Sequence, residues 1–275
     1  MIRPHWTALQ SFRMRAHAGL AAAAVLLAAA PANAQIAVLG STVEERMAAP
    51  GESYTGMILV TNPTTADQRA RIYQTDYAFA ADGTSDFGEP GSNPRSNTSW
   101  ITTSNRTLVI PAGGQAAVSY TVRVPTRPGL QGTYWSAIMV EGTPTAPPVV
   151  GGNAVGVGSV IRYAVQVATH IQNSGSRRIN FATPQLVPDS AGQALELDVT
   201  NTGERAYRPV LWVELYDSTG ALSARLEQVR GLVYPGSSVR QRFALRGLEA
   251  GAYKAVVFAD TGDDSIFAAQ YRLDL

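Results

Sequence analysis

Along residues 35 to 275 the apolar positions come in short runs that end in turn signals: "GMILV" at 56 to 60 leads into "TNPTT", and "LELDV" at 195 to 199 leads into "TNTGE". Runs of this length, apolar or alternating and closed by Asn, Pro or Gly, predict β-strands joined by tight turns. No stretch after Gln35 carries the spacing of an amphipathic helix, so the pattern predicts an all-β sandwich.

The pattern is also duplicated. "LVTNP" pairs with "DVTNT", "VIPAGGQAAVSYTV" with "LVYPGSSVRQRFAL", and "GTYWSAIMVEG" with "GAYKAVVFADTG", three matches in the same order. Each shared piece is one strand with its turn, so the chain is expected to hold two copies of one domain. The offsets, 139 residues at the Asn, 124 at the Pro and 119 at the Tyr, make the first copy about 20 residues longer. The Gly, Pro, Asn and Asp content of residues 80 to 99 assigns that surplus to an extended loop.

In "GTYWSAIMVEG" strand alternation puts Tyr134, Ser136, Ile138 and Val140 on one face and Trp135, Ala137 and Met139 on the other, which suits a central strand. Tyr253, Ala255, Val257 and Ala259 share a face in the second copy. Gly-x-Tyr at the head of such a strand is similar to the tyrosine corner of immunoglobulin-like sandwiches; an ordinary core tyrosine is the alternative. Residues 143 to 159 are uncharged and rich in Pro and Gly, and predict a loop. Residues 160 to 171, "VIRYAVQVATHI", predict a long strand in which Ile161, Tyr163, Val165 and Val167 alternate with Arg162, Ala164, Gln166 and Ala168. "QNSGSRR" at 172 to 178 is the expected interdomain linker, with the boundary near Gly175.

The first 34 residues bring in Arg3, Arg13 and Arg15, an apolar run from Ala18 to Ala30, and Ala32-Asn33-Ala34. This is the pattern of a secretory signal peptide cleaved after Ala34, and the run is shorter than the roughly 20 apolar residues that span a bilayer. The expected organisation is a signal peptide at 1–34 and two immunoglobulin-like β-sandwich domains in tandem, 35–174 and 175–275. A periplasmic or secreted location follows, with no membrane span in the mature chain. With no cysteine in the chain, stability must come from burial and hydrogen bonding. Without the three leader arginines the 22 basic side chains fall to 19 against 21 acidic ones, a formal charge near −2 with no basic patch. Nucleic-acid partners are therefore not expected.

Catalytic chemistry is thinly supplied. Beyond residue 34 the chain has one His (His170), one Lys (Lys254) and no Cys, and no Gly-x-Ser-x-Gly elbow occurs. His170 reads as a partly exposed side chain at a strand end. "DTGDD" at 260 to 264 and "DGTSD" at 82 to 86 lack the ligand spacing of a calcium loop and read as turns. Trp100, Trp135 and Trp212 sit beside strand residues and are assigned to packing, with glycan binding as the other use of such rings. No catalytic residue, metal site or cofactor is expected, and the chain is read as a binding protein and not an enzyme.

With these segments in place the chain resembles the periplasmic pilus and fimbrial chaperones of the PapD-like class. The resemblance implies two immunoglobulin-like domains and a last strand of the first domain, here "SVIRYAVQV", lent to a secreted pilus or fibre subunit by strand addition. Ile161, Arg162, Tyr163, Val165 and Val167 would then contact that partner. The family's carboxylate anchor is an Arg in the first strand and a Lys early in the last; the nearest basic residues here are Arg46 and Arg162. The alternative is an envelope adhesion or structural module that holds peptidoglycan or another surface protein through residues 80 to 99 or the aromatic faces. A second similarity is to the two-domain immunoglobulin-like proteins of Gram-positive surface complexes, and it extends to the domains and not to their membrane helix.

Overall fold

The computed structural model describes residues 35–143, 160–190, 192–229, 231–262 and 265–275. The expected signal peptide, all but the first residue of the loop expected at 143–159, and Asp263 and Asp264 lie outside the described residues. Residues Ala34–Leu275 group as one compact unit, and within it the strands form two immunoglobulin-like sandwiches in tandem.

The first sandwich contains β1 (Ala37–Leu39), β2 (Val43–Ala48), β3 (Ser53–Thr61), β4 (Gln68–Thr75), the short pair β5 (Ala78–Phe79) and β6 (Ser85–Asp86), and β7 (Ile101–Thr103) after a 3-10 turn at Thr98–Trp100. It is completed by β8 (Thr107–Ile110), β9 (Gln115–Arg123), β10 (Thr133–Gly142) and β11 (Arg162–Ile171). One sheet runs β1-β3-β9-β7 and the facing sheet β2-β11-β10-β4-β8. The chain changes sheets between β1 and β2: β1 pairs antiparallel with β3, and after Gly40, at φ +87°, β2 pairs parallel with β11. Glycine tolerates that left-handed conformation without a Cβ penalty.

The second sandwich comprises β12 (Ile179–Phe181), β13 (Gln185–Asp189), β14 (Gly192–Asn201), β15 (Val210–Tyr216), β16 (Leu222–Val229), β17 (Ser238–Ala244), β18 (Ala252–Asp260) and β19 (Ile266–Asp274). In one sheet β14 takes β12 and β13 along one edge and β17 along the other; the facing sheet runs β16-β15-β18-β19.

Strand alternation fills each core from the sequence upward. Ile58 and Val60 of β3, Val118 and Val122 of β9, Ile138 and Val140 of β10, and Val165 and Val167 of β11 meet in the first core. Leu195, Leu197, Leu211, Val213, Val257 and Phe243 meet in the second. Burying each such side chain contributes about 1.5–3 kcal/mol. β10 is buried on both faces, with Trp135, Ala137 and Met139 covered as fully as Ile138.

The duplicated "TN" turn is a buried clamp in both copies. Asn62 Nδ2 donates to the carbonyls of Ala66 (2.8 Å), Ile110 (3.0 Å) and Pro111 (3.0 Å), while Oδ1 accepts from the Thr64 N–H. Asn201 repeats this, donating to Arg205 O (2.9 Å) and Val233 O (3.0 Å) and accepting from the Gly203 N–H. The tyrosine motif diverges between the copies. Tyr253 Oη donates to Glu249 O, four residues upstream, at 3.0 Å, as a tyrosine corner does. Tyr134 instead packs its ring 4.7 Å from that of Trp100.

Candidate functional site

The edge of β11 is where the architecture leaves backbone unsatisfied. Ile161 O accepts from Gly142 N and Ile171 N donates to Gly132 O, so the odd residues turn their peptide groups toward β10. The even residues turn theirs the other way, and Gln166 N donates to Thr42 O. Because β2 pairs only with Gln166 through Ile171, the N–H and C=O of Arg162 and Ala164 face outward with no strand beside them among the described residues. An edge of this kind is a ready template for another chain.

The five residues expected to contact a partner are not equivalent on this strand. Val165 and Val167 are each 1% exposed and belong to the sandwich's own core. Tyr163 packs partly against that core, and its hydroxyl donates to Ile36 O at 3.0 Å. Ile161 is half-buried just ahead of the strand. Arg162 is exposed on the opposite face, where its Nε lies 2.6 Å from Glu141 Oε2. Glu141 also accepts from the Tyr73 hydroxyl (2.8 Å) and from Arg71 (2.9 Å). Burial pushes the Glu141 carboxyl up, but the Tyr73 hydroxyl and the two guanidinium charges outweigh it and hold it below the ordinary carboxylate range. Arg162 is therefore committed to an internal partner. Arg46, the other basic residue of the expected anchor, is exposed on β2 opposite Thr169.

The junction between the sandwiches is built from parts that look unrelated in sequence. Trp135, on the outer face of β10, stacks on Tyr234 of the second sandwich at 4.6 Å and 8°, and Ala168, Ala206 and Leu232 complete the cluster. Tyr234 Oη donates to Gln166 Oε1 (2.8 Å), and Trp135 Nε1 donates to Tyr77 O (2.6 Å). Residues 172–178 do not hang free between the domains. Glu204 accepts from the Ser176 N–H (3.1 Å) and Arg205 donates to the carbonyls of Ile171 (3.1 Å) and Ser174 (3.0 Å). At Gly132, φ +73°, an added Cβ would sit 2.1 Å from Glu204 O.

His170 is 8% exposed, not the half-exposed strand end its sequence position suggests. Its Nδ1 is 2.8 Å from Thr133 Oγ1 and its Nε2 is 3.2 Å from Glu45 Oε2. The row hydroxyl–imidazole–carboxylate has the order of a nucleophilic triad. Thr133, however, is 0% exposed and its oxygen already accepts from the Ala206 N–H at 2.8 Å, so no substrate carbon can approach it. The trio is a cross-domain clamp, extended by Arg208, whose Nε donates to Glu45 Oε1 at 3.0 Å. Among the described residues no group of three His, Cys, Asp or Glu side chains could hold a metal ion, and no helix is long and apolar enough to cross a membrane.

The surplus of the first copy is a strut and not an extended loop. Asp76, buried at the end of β4, accepts from Asn93 N–H (2.6 Å) and from the hydroxyls of Ser92 (3.2 Å) and Ser96 (2.5 Å). These bonds fold residues 77–96 back so that Tyr77 and Phe79 meet Tyr234 edge-on, and Ala81 N–H donates to Ser238 Oγ at 2.9 Å. Asp82 closes its turn by accepting from Thr84.

No family model matches the chain, and no curated protein matches it. Among solved structures it is similar to the class 5 fimbriae chaperone CfaA, at 11% identity over 87% of this chain and 100% of that one, with a TM-score of 0.46. It is also similar to the YadV chaperone, at 11% identity over 87% and 100% of the two chains, TM-score 0.43. The CupB2 chaperone of Pseudomonas aeruginosa gives 10% identity over 86% and 100%, TM-score 0.38. These similarities concern the course of the chain through two tandem sandwiches, the arrangement of PapD-like chaperones, and at such identities they assign no residue a role.

Proposed function

We propose that this chain is a non-catalytic, periplasmic chaperone-like assembly protein that binds a secreted pilus- or fibre-type subunit by β-strand addition at the N-terminal half of β11. The observation that carries the reading is the half-covered edge: β2 closes β11 from Gln166 onward and leaves Arg162 and Ala164 with outward-facing peptide groups. Strand addition draws its affinity from main-chain hydrogen bonds of this kind and its selectivity from alternate side chains. Ile161 and Tyr163, at the mouth of the sandwich, are the side chains a partner would meet. Val165 and Val167, locked in the core, fix the strand's register. The rigid junction suits a scaffold that presents one edge at a constant angle to the second sandwich. The competing adhesion reading relied on residues 80 to 99, and Tyr77 and Phe79 at the base of that segment are instead turned inward against Tyr234.

Ala164→Pro tests the proposal. Its N–H points away from β10, so proline removes an edge donor without breaking the internal ladder. Affinity capture from the envelope fraction, read by mass spectrometry, should recover a small secreted β-rich subunit with the native protein and lose it with the variant. Unchanged capture by a variant with a native circular dichroism spectrum would sink strand addition.

A further inference from the structure

A second site lies at the far side of the same sheet. Between the end of β4, residues 90–100, β7 and the β7–β8 turn there is a cavity of about 760 Å³, separated from β11 by the width of β10. Its only charged lining groups are Arg106 and Arg127. Neither guanidinium lies within ion-pair distance of a carboxylate among the described residues, whereas Arg71, Arg162, Arg208, Arg225, Arg240 and Arg242 are all matched. The wall between them is hydroxyl-rich, with Ser99 and Thr103 beside the buried edge of Trp100.

Gln74 adds an independent constraint. Its Nε2 donates to Ile101 O at 3.1 Å, which settles the orientation of the amide and leaves Oε1 as a buried acceptor without a partner. An orphaned buried acceptor costs about 1–3 kcal/mol, so the site is incomplete until a donor reaches it.

We propose that this cavity binds an acidic saccharide, a sugar ring carrying a carboxylate. The two arginines can take the carboxylate through their planar forks. A neighbouring sugar hydroxyl would supply the donor that Gln74 Oε1 lacks, and the remaining hydroxyls would meet Ser99 and Thr103. Inorganic phosphate would satisfy the arginines and leave Gln74 without a strong donor partner; a neutral sugar would do the reverse. The site is independent of the strand edge, because no residue is shared between them.

The test is calorimetric titration of the purified protein, expressed from the full chain, with trigalacturonate, maltotriose, triglutamate and inorganic phosphate. Trigalacturonate should bind at least about tenfold more tightly than the other three, as expected when charge and hydroxyl contacts act together. Arg106→Ala/Arg127→Ala, two exposed positions whose loss leaves the core untouched, should weaken it about tenfold or more, while Ala164→Pro should bind it normally. The proposal is overturned if no probe binds, if maltotriose or phosphate matches trigalacturonate, if triglutamate binds more tightly, or if the double arginine variant retains its affinity.

Discussion

Asn62 and Asn201 show how a residue's role follows from its partners. Each was legible as a turn residue, and each proves to be fully buried and to tie its own turn to the strand connection across the sheet. Replacing either by Ala strands two or three backbone carbonyls, at roughly 2–3 kcal/mol. Urea unfolding should show that loss in the transition of the sandwich that carries the substitution, and equal stability of wild type and variants would refute the clamp. His170 was misread for the complementary reason. Its place at a strand end says nothing about Thr133, Glu45 and Ala206, which reach it from 37, 125 and 36 positions away.

At the scale of elements, the periodicity of 160 to 171 foretold a strand, and β11 runs through 162 to 171. What the periodicity could not say is which side of it is covered, because β2 arrives from more than a hundred residues upstream as a parallel neighbour. The segment from 80 to 99 was read as an extended loop because turn-forming residues dominate it. Its fold depends on Asp76, outside the segment, gathering Ser92, Asn93 and Ser96. Asp76→Ala leaves those donors without their acceptor and should cost about 2 kcal/mol. Limited proteolysis is then expected to cut first between residues 80 and 99; an unchanged digestion pattern would mean that the strut stands without its carboxylate.

For the whole molecule, the junction decides whether two sandwiches act as one body. Glu45 belongs to the first sandwich and Arg208 to the second, and His170 joins them. The His170 hydrogen bond, aided by Arg208 against the opposing cost of burial, holds the Glu45 carboxyl below its ordinary range. A carboxyl depressed in the folded state stabilises it above the unfolded-state pKa, and that contribution is lost as pH falls through the lowered folded-state value. The thermal midpoint of the native protein should therefore exceed that of Glu45→Gln near neutrality, and the gap should close with acidification below the carboxylate range. A gap that persists unchanged down to pH 3 would show that the carboxylate's charge is not what secures the junction.

The sequence by itself determined the all-β class, the duplication and the inward faces of the central strands, because strand periodicity and turn chemistry are local and Leu195, Val213 or Val257 need only their neighbours to declare a side. The tertiary structure alone decided which half of β11 stays open, how Trp135 comes to rest on Tyr234, and where Gln74 is left with an unanswered acceptor. Those features depend on groups brought together from distant positions, and no local pattern encodes the distance between them.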